Sequence, residues 1–522
     1  MVRLIVVGLL AFAVALTGTA YAEVQNIKVS GDLELKGITS HDYDLKHAQD
    51  NLSTGGITVG PAGVARGAEG ANAADSDDDD ASFFLSTTHV RVDADLTDNV
   101  QASVRLLNQR VWDAHSADES VHVDNAYMVL KEFLYSPLTV IAGRQDLNYG
   151  TGFIVGPGIL ADPEGVFGVN DTNGIHAGGI GQEHSAYNAY DAIRAILDFA
   201  PLTVEGVIAK INETGATTND QDLYGVVVNY KLDQWSAEIE PYWFYKDNEA
   251  DTVTTNDSLV TTAAGDALRT YESNEVHTVG LRLAGSPIEH LRLSGEGAHQ
   301  FGDLVDITPV QIGAGDEQQR DRSAWAARIR AEYDWVTVPW TPTTGVGWVF
   351  YSGEQASNEA QGVTGTTPTT VGASGLPPQD QGKDNFNAWD PMYRGEFHTF
   401  IQDFLGGRDA PAGIYTTFDV NDTASTTNRH LIFGDVGLKP MEDLTLWARY
   451  THVRFDKAPR VGRSHHAGDE IDAKVVYDYT DDVALTAWGG WFLPGEYYDE
   501  PGSNDRGNSV AWTTGGAASV KF

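Results

Sequence analysis

Apolar and polar side chains alternate one by one through much of this chain, and the alternation recurs from end to end. In 323–333, Trp325, Ala327, Ile329, Ala331 and Tyr333 fall on one parity, and Ala324, Ala326, Arg328, Arg330 and Glu332 on the other. Ile471, Ala473, Val475, Tyr477 and Tyr479 likewise oppose Glu470, Asp472, Lys474 and Asp478. A period of two puts successive side chains on opposite faces of a strand, so these segments predict strands lying between an apolar and a polar medium. The pattern predicts strands over 28–36, 83–96, 100–111, 121–133, 138–146, 190–199, 202–212, 223–231 and 235–245. It continues over 275–284, 290–299, 323–334, 344–353, 430–438, 444–454, 469–479, 483–493 and 510–522, which makes eighteen.

The spacers alternate between short and long. Short ones (97–99, 200–201, 232–234, 480–482 and their kin) carry Asp, Asn, Gly and Pro, the residues of tight turns. Long ones fall at 37–82, 147–189, 246–274, 300–322 and 354–429. Short turns on one rim and long loops on the other predict an all-β fold, a transmembrane antiparallel β-barrel of about 18 strands with periplasmic turns and extracellular loops. A charge on the lipid face near mid-membrane costs about 2–4 kcal/mol for Arg or Lys, so the charged parity must face the lumen.

Two further features fit that compartment. Arg3, an apolar run over 4–16 and Ala20-Tyr21-Ala22 read as a signal peptide over 1–22, leaving 23–522 as a single barrel domain. The final strand carries Val510, Trp512, Val520 and Phe522 on one parity, and it is expected to close against 28–36. A last strand ending in Phe resembles those that the outer-membrane barrel assembly machinery reads. The chain has no Cys, which excludes disulfides, a lipoprotein anchor, haem attachment and thiolate metal sites. A net charge of −40 argues against nucleic acid as a partner. Outer-membrane lipid, lipopolysaccharide and a small polar solute are the expected partners of a monomeric barrel.

Four segments carry a family resemblance. They are 137–150, with Gly143-Arg144-Gln145 and Tyr149-Gly150; the 323–353 hairpin; 386–395, Phe-Asn-Ala-Trp-Asp-Pro-Met-Tyr-Arg-Gly; and 468–472, Gly-Asp-Glu-Ile-Asp, followed by 492–496. In register, they resemble the alginate export family of bacterial outer-membrane porins. The resemblance implies an eighteen-stranded monomeric channel and, for some members, an arginine-rich lumen that carries a polyanion.

Candidate pore-lining residues are Arg91, Arg105, Arg194, Arg282, Arg292, Arg328, Arg330, Arg449 and Lys474, with Arg144 added by analogy. Glu238, Glu240, Glu332, Glu470 and Asp472 accompany them, so the lumen reads as mixed in charge. Opposed charges across a pore select small polar solutes, but the same pairs also brace a barrel wall. Trp235, Trp325, Trp348, Trp491 and Trp512 read as interfacial aromatics, whereas Trp447, on a lumen parity, is a candidate for carbohydrate contact. Asp75, Asp77, Asp78, Asp79 and Asp80 could hold Ca²⁺ but lack the spacing of a calcium loop, and a solvated acidic loop is the plainer reading. No cofactor motif is present. His41, His47, His465 and His466 lie in predicted loops without a clustered third metal ligand. His299 and Ser323 end neighbouring strands without a nucleophile motif, which argues against an enzyme. The function expected is passive diffusion or export of a small hydrophilic or anionic solute, uronate-like or polysaccharide-like included. The alternatives are a barrel sleeve around a redox or polymer-handling protein, and an adhesin built on the long loops.

Overall fold

The computed structural model describes residues 25–42, 81–112, 121–156, 189–212, 221–248, 274–306, 318–353, 385–403, 427–458, 464–499 and 509–522. Within them run β1 (Asn26–His41), β2 (Ala81–Thr97), β3 (Val100–Val111), β4 (His122–Leu130), β5 (Leu138–Gln145) and β6 (Tyr190–Asp198). Next come β7 (Leu202–Asn212), β8 (Gln221–Leu232), β9 (Ala237–Asn248), β10 (Asn274–Ile288), β11 (Leu291–Asp306) and β12 (Gln318–Asp334). The series ends with β13 (Thr343–Tyr351), β14 (Arg429–Met441), β15 (Leu444–Phe455), β16 (His466–Thr480), β17 (Val483–Pro494) and β18 (Ala511–Lys521).

Each strand pairs antiparallel with its neighbours in sequence, and β1 closes the sheet on β18 in a register from Asp32↔Lys521 to His41↔Trp512. All eighteen expected strands have a counterpart. The strand expected from Trp235 begins instead at Ala237, because Gln234–Ser236 form a 3₁₀ turn with Trp235 at φ 73°. The strand expected over 121–133 stops at Leu130, where Glu132 and Leu134 take positive φ. The proposed signal segment, the acidic run 75–80 and His47 lie outside the described residues.

Alternation sorts the side chains as hydrophobic transfer requires. On β12, Trp325 and Ile329 are more than half exposed on the outer wall, while Ala324, Ala326 and Arg328 are buried inside. Two belts of outward aromatics flank an aliphatic band. Tyr135, Trp235, Trp335, Trp340, Tyr479 and Phe522 lie at the short-turn rim, and Phe84, Trp112, Phe301, Trp325, Trp491 and Trp512 towards the long-loop rim. Amphipathic rings suit the headgroup level, and the aliphatic band between them suits hydrocarbon. None of the described helices is long and apolar enough to cross a membrane.

The core sits inside the barrel. Tyr242, Phe244, Val276, Tyr351, Leu431 and Phe455 from the wall enclose Leu147, Phe153, Trp389, Met392 and Ile401 from two inward-folded segments. Ile329→Arg should therefore destabilise the barrel by about 2–4 kcal/mol in denaturant unfolding from lipid vesicles. Ile329→Leu, which keeps the lipid face apolar, should leave the stability within about 0.5 kcal/mol of wild type.

Candidate functional site

The two inward segments run over 146–156 and 385–403 and meet inside the barrel. Residues 385–386 first extend β12 in parallel, beyond the point where β13 ends. The chain then crosses the lumen and meets the first segment through a parallel bridge between Val155 and Tyr393. Backbone hydrogen bonds join Gly156 N to Tyr393 O at 2.9 Å and Gly395 N to Gly152 O at 2.7 Å. Gly152 sits at φ 82°, and a Cβ there would press on Gly156 and Gly395, so this backbone-to-backbone approach requires glycine.

A loop carried inside a barrel must find partners for its peptide groups, since little water reaches them. Glu470 on β16 accepts backbone N–H bonds from Phe400, Ile401 and Gln402 at 2.8, 2.7 and 2.8 Å. Gln300 on β11 bonds both the N–H and the C=O of Asp390, at 2.8 Å each. Arg322 donates to Ala388 O, Arg429 to Gln402 O and Arg449 to His398 O. Within the loop, Asp403 accepts the His398 and Thr399 N–H groups and pairs with the fully buried Arg394. Burial pushes the Asp403 carboxyl upward, but Arg394 and His398 hold it below the ordinary carboxylate range. Burial works on Asp390 in the same sense, and Lys246 and Arg322 more than offset it. For His398, burial dominates over Glu396 and Asp403 and lowers the imidazole to about 4.

Beside the loop, on the short-turn side, lies a cavity of about 460 Å³. Arg282, Arg292, Arg328, Arg330 and Arg449 line it, with Glu238, Glu332 and Glu396 as its carboxylates. Each arginine is held. Arg328 pairs with Glu396 at 2.8 Å, Arg330 bridges Glu332 at 2.6 Å and Asp435 at 3.1 Å, and Arg449 reaches Asp435 at 3.2 Å. A ladder of cations and rings crosses from β12 to β16. Arg330 and Arg449 lie 5.6 and 4.4 Å from the Phe433 ring, and Arg449 and Lys474 lie 5.0 and 5.8 Å from Trp447. Cations over ring faces attract through the ring quadrupole.

Of the sequence candidates, Arg282, Arg292, Arg328, Arg330, Arg449, Glu238 and Glu332 are gathered at this cavity, and Lys474 lies on the adjoining ladder. Arg91 is bound to Asp93 and Tyr127, and Arg105 to Asp124, Asn125 and Asp146, on the far wall. Arg194 forks onto Glu205, which also accepts the Tyr149 hydroxyl. Glu240 accepts from Asn229, Glu470 is turned to the loop backbone, and Asp472 is buried on the same strand. Arg144 departs from the set. It stands opposite Asp191 and pairs with it at 3.5 Å on the outer wall, because the lumen parity of β5 ends in Gln145. His299 and Ser323 are 3.5 Å apart on that outer wall, with the His299 ring tilted by 43° against Trp325 at 4.2 Å. Sequence reading missed Asp390, Arg394, His398 and Asp403; the 386–395 segment of the resemblance contains the first two, and nothing pointed to the others.

A closed barrel with an apolar belt, aromatic rims and a lumen narrowed by its own chain defines an outer-membrane channel. The protein belongs to the alginate export family, whose model matches residues 65–511. It is an outer-membrane β-barrel of the channel type. It is similar to OpdO of Pseudomonas aeruginosa, at 9% identity over 96% of this chain and 98% of that one, with a TM-score of 0.48. It is also similar to OccK2 (OpdF) of the same organism in complex with glucuronate, at 11%, 96%, 98% and 0.47. A BenF-like porin from Pseudomonas fluorescens Pf-5 matches at 10%, 96%, 99% and 0.47. No curated protein matches the chain.

Glu470→Ala removes three accepted backbone hydrogen bonds, each worth about 0.5–1.5 kcal/mol, and should free the loop. Single-channel recordings should then show larger and noisier steps than wild type. His398 has its pKa lowered on folding, so its contribution is complete above about 6.5 and is lost as pH falls towards 4, by at most about 3 kcal/mol. Open-channel noise should rise across that window, and His398→Gln should flatten the rise.

Proposed function

We propose that the channel passes small hydroxylated carboxylates of the uronate class, from monomer to short oligomer. The observation that carries this reading is the ladder Arg330–Phe433–Arg449–Trp447–Lys474 beside the cavity. Arginine forks match a carboxylate, and ring faces suit the C–H faces of a sugar. The carboxylates interleaved with the arginines keep any one anion from being held too strongly to leave, which conduction requires. They also disfavour a long polyanion, whose many charges would meet Glu238, Glu332 and Glu396 in turn.

The outer wall is apolar around the barrel, which supports a monomer in lipid, delivered by the barrel assembly machinery. A sleeve around a second protein fits less well, because 146–156 and 385–403 already pack inside. Transport without catalysis follows from the same arrangement: the polar groups of the lumen hold one another rather than a nucleophile. No cofactor enters this reading.

In planar bilayers under a salt gradient, the reversal potential should show anion preference, and glucuronate should reduce the current in a concentration-dependent way. Arg330→Gln with Arg449→Gln should weaken that block by about tenfold or more, as expected when buried charge-assisted contacts worth at least about 1.4 kcal/mol are lost. Absence of conductance from well-folded protein, even with 385–403 deleted, would sink the channel itself. Cation preference that the double substitution leaves unchanged would sink the uronate assignment alone.

A further inference from the structure

The outer wall carries a second cluster, independent of the lumen. His452 on β15 and His466 and Asp469 on β16 bring one ligand atom each to within 4.8 Å of one another. His452 Nδ1 lies 2.8 Å from Asp469 Oδ1, and His466 Nε2 lies 3.3 Å from Asp469 Oδ2. The two imidazoles stack with centroids 5.1 Å apart, so both rings converge on one carboxylate. Ligands of a four-coordinate first-row ion sit about 2.0–2.2 Å from it, hence about 3–3.5 Å from each other, and these separations already approach that span.

The grouping is not what plain alternation would give. Two residues three apart on a regular strand face opposite ways, yet His466 and Asp469 share a face. The register explains it: Val453 pairs with Gly468 but Arg454 pairs with His466, so a bulge falls at Ala467 and turns His466 outward. Gly468 holds that bulge at φ 148°, where a Cβ would strike the Leu493 carbonyl and the Phe492 ring. Asp469 is also oriented from behind, since the Tyr450 hydroxyl donates to its Oδ1 at 2.6 Å. A hydrogen bond to a ligating carboxylate is the outer-shell support that metal sites use. All three ligands are part-exposed on the outer face near the long-loop rim, so an ion can reach them.

We infer that His452, His466 and Asp469 form a binding site for a divalent first-row transition ion of the zinc type. Two imidazoles and one carboxylate suit Zn²⁺ and its neighbours, whereas Ca²⁺ and Mg²⁺ require oxygen donors. Three protein ligands leave at least one position for water or an external oxygen donor on the open side.

The test uses the full-length folded barrel in detergent, titrated with Zn²⁺ and read by calorimetry. One tight site per barrel is expected, unaffected by excess Ca²⁺ or Mg²⁺. His452→Ala with His466→Ala should weaken that site at least a hundredfold and Asp469→Asn at least tenfold, while His277→Ala with His299→Ala leaves it intact. X-ray absorption of the wild-type protein at one equivalent of Zn²⁺ should show two imidazole nitrogens, which keeps the test open should a variant fail to fold. Undiminished binding by the double His452/His466 variant, or a wild-type spectrum without a two-imidazole shell, would overturn the assignment.

Discussion

In hydrocarbon an unpaired peptide N–H or C=O costs several kcal/mol, so a sheet that spans a membrane has no tolerable edge. The pairing of β1 with β18, ten residue pairs from Asp32↔Lys521 to His41↔Trp512, removes the last edge and makes every other strand viable. Closure also fixes which parity of each strand meets lipid. A one-residue slip would turn Arg328, Arg330 and Glu332 outward together with their neighbours. Side-chain placement throughout the barrel, outside and inside, follows from that register.

Closure creates a second problem, which the inward segments solve. A wide barrel encloses more space than its wall side chains can fill, and the enclosed residues here are apolar as well as charged. Phe153, Trp389, Met392 and Ile401 meet the apolar wall, while Glu470, Gln300 and Arg429 meet the loop's peptide groups. Apolar burial and backbone satisfaction therefore act together on the inward-folded segments. The remaining lumen stays polar, and that is where the arginine ladder lies.

The strands and their faces were legible in the sequence because lipid and water impose a period of two on every span. Arg144 was not, since 140–143, Val-Ile-Ala-Gly, is apolar on both parities and gives no contrast to read. Glu470 was placed on the correct face, but its work lay with Phe400, Ile401 and Gln402, some seventy residues away, and no local pattern announces such a partner. The 385–403 loop was opaque for the same reason: it has no periodicity, and its structure is dictated by contacts to β9, β11, β12, β14, β15 and β16. His466 was set aside as a loop residue without a clustered third ligand, whereas it stands on β16, and a single bulge at Ala467 brings it to His452 and Asp469.

Three of the segments that carry the family resemblance meet at the constriction. The 386–395 motif is the lumen loop, Glu470 of 468–472 is its anchor, and Ser352 of the 323–353 hairpin bonds Asn387 O. These pieces together form the frame of the constriction, while Phe433, Trp447 and Lys474 of the ladder belong to none of the four. Frame and lining are thus largely separable in this barrel. A lineage could exchange the ladder for other side chains, and so change its diet, without having to reinvent the fold that narrows the pore.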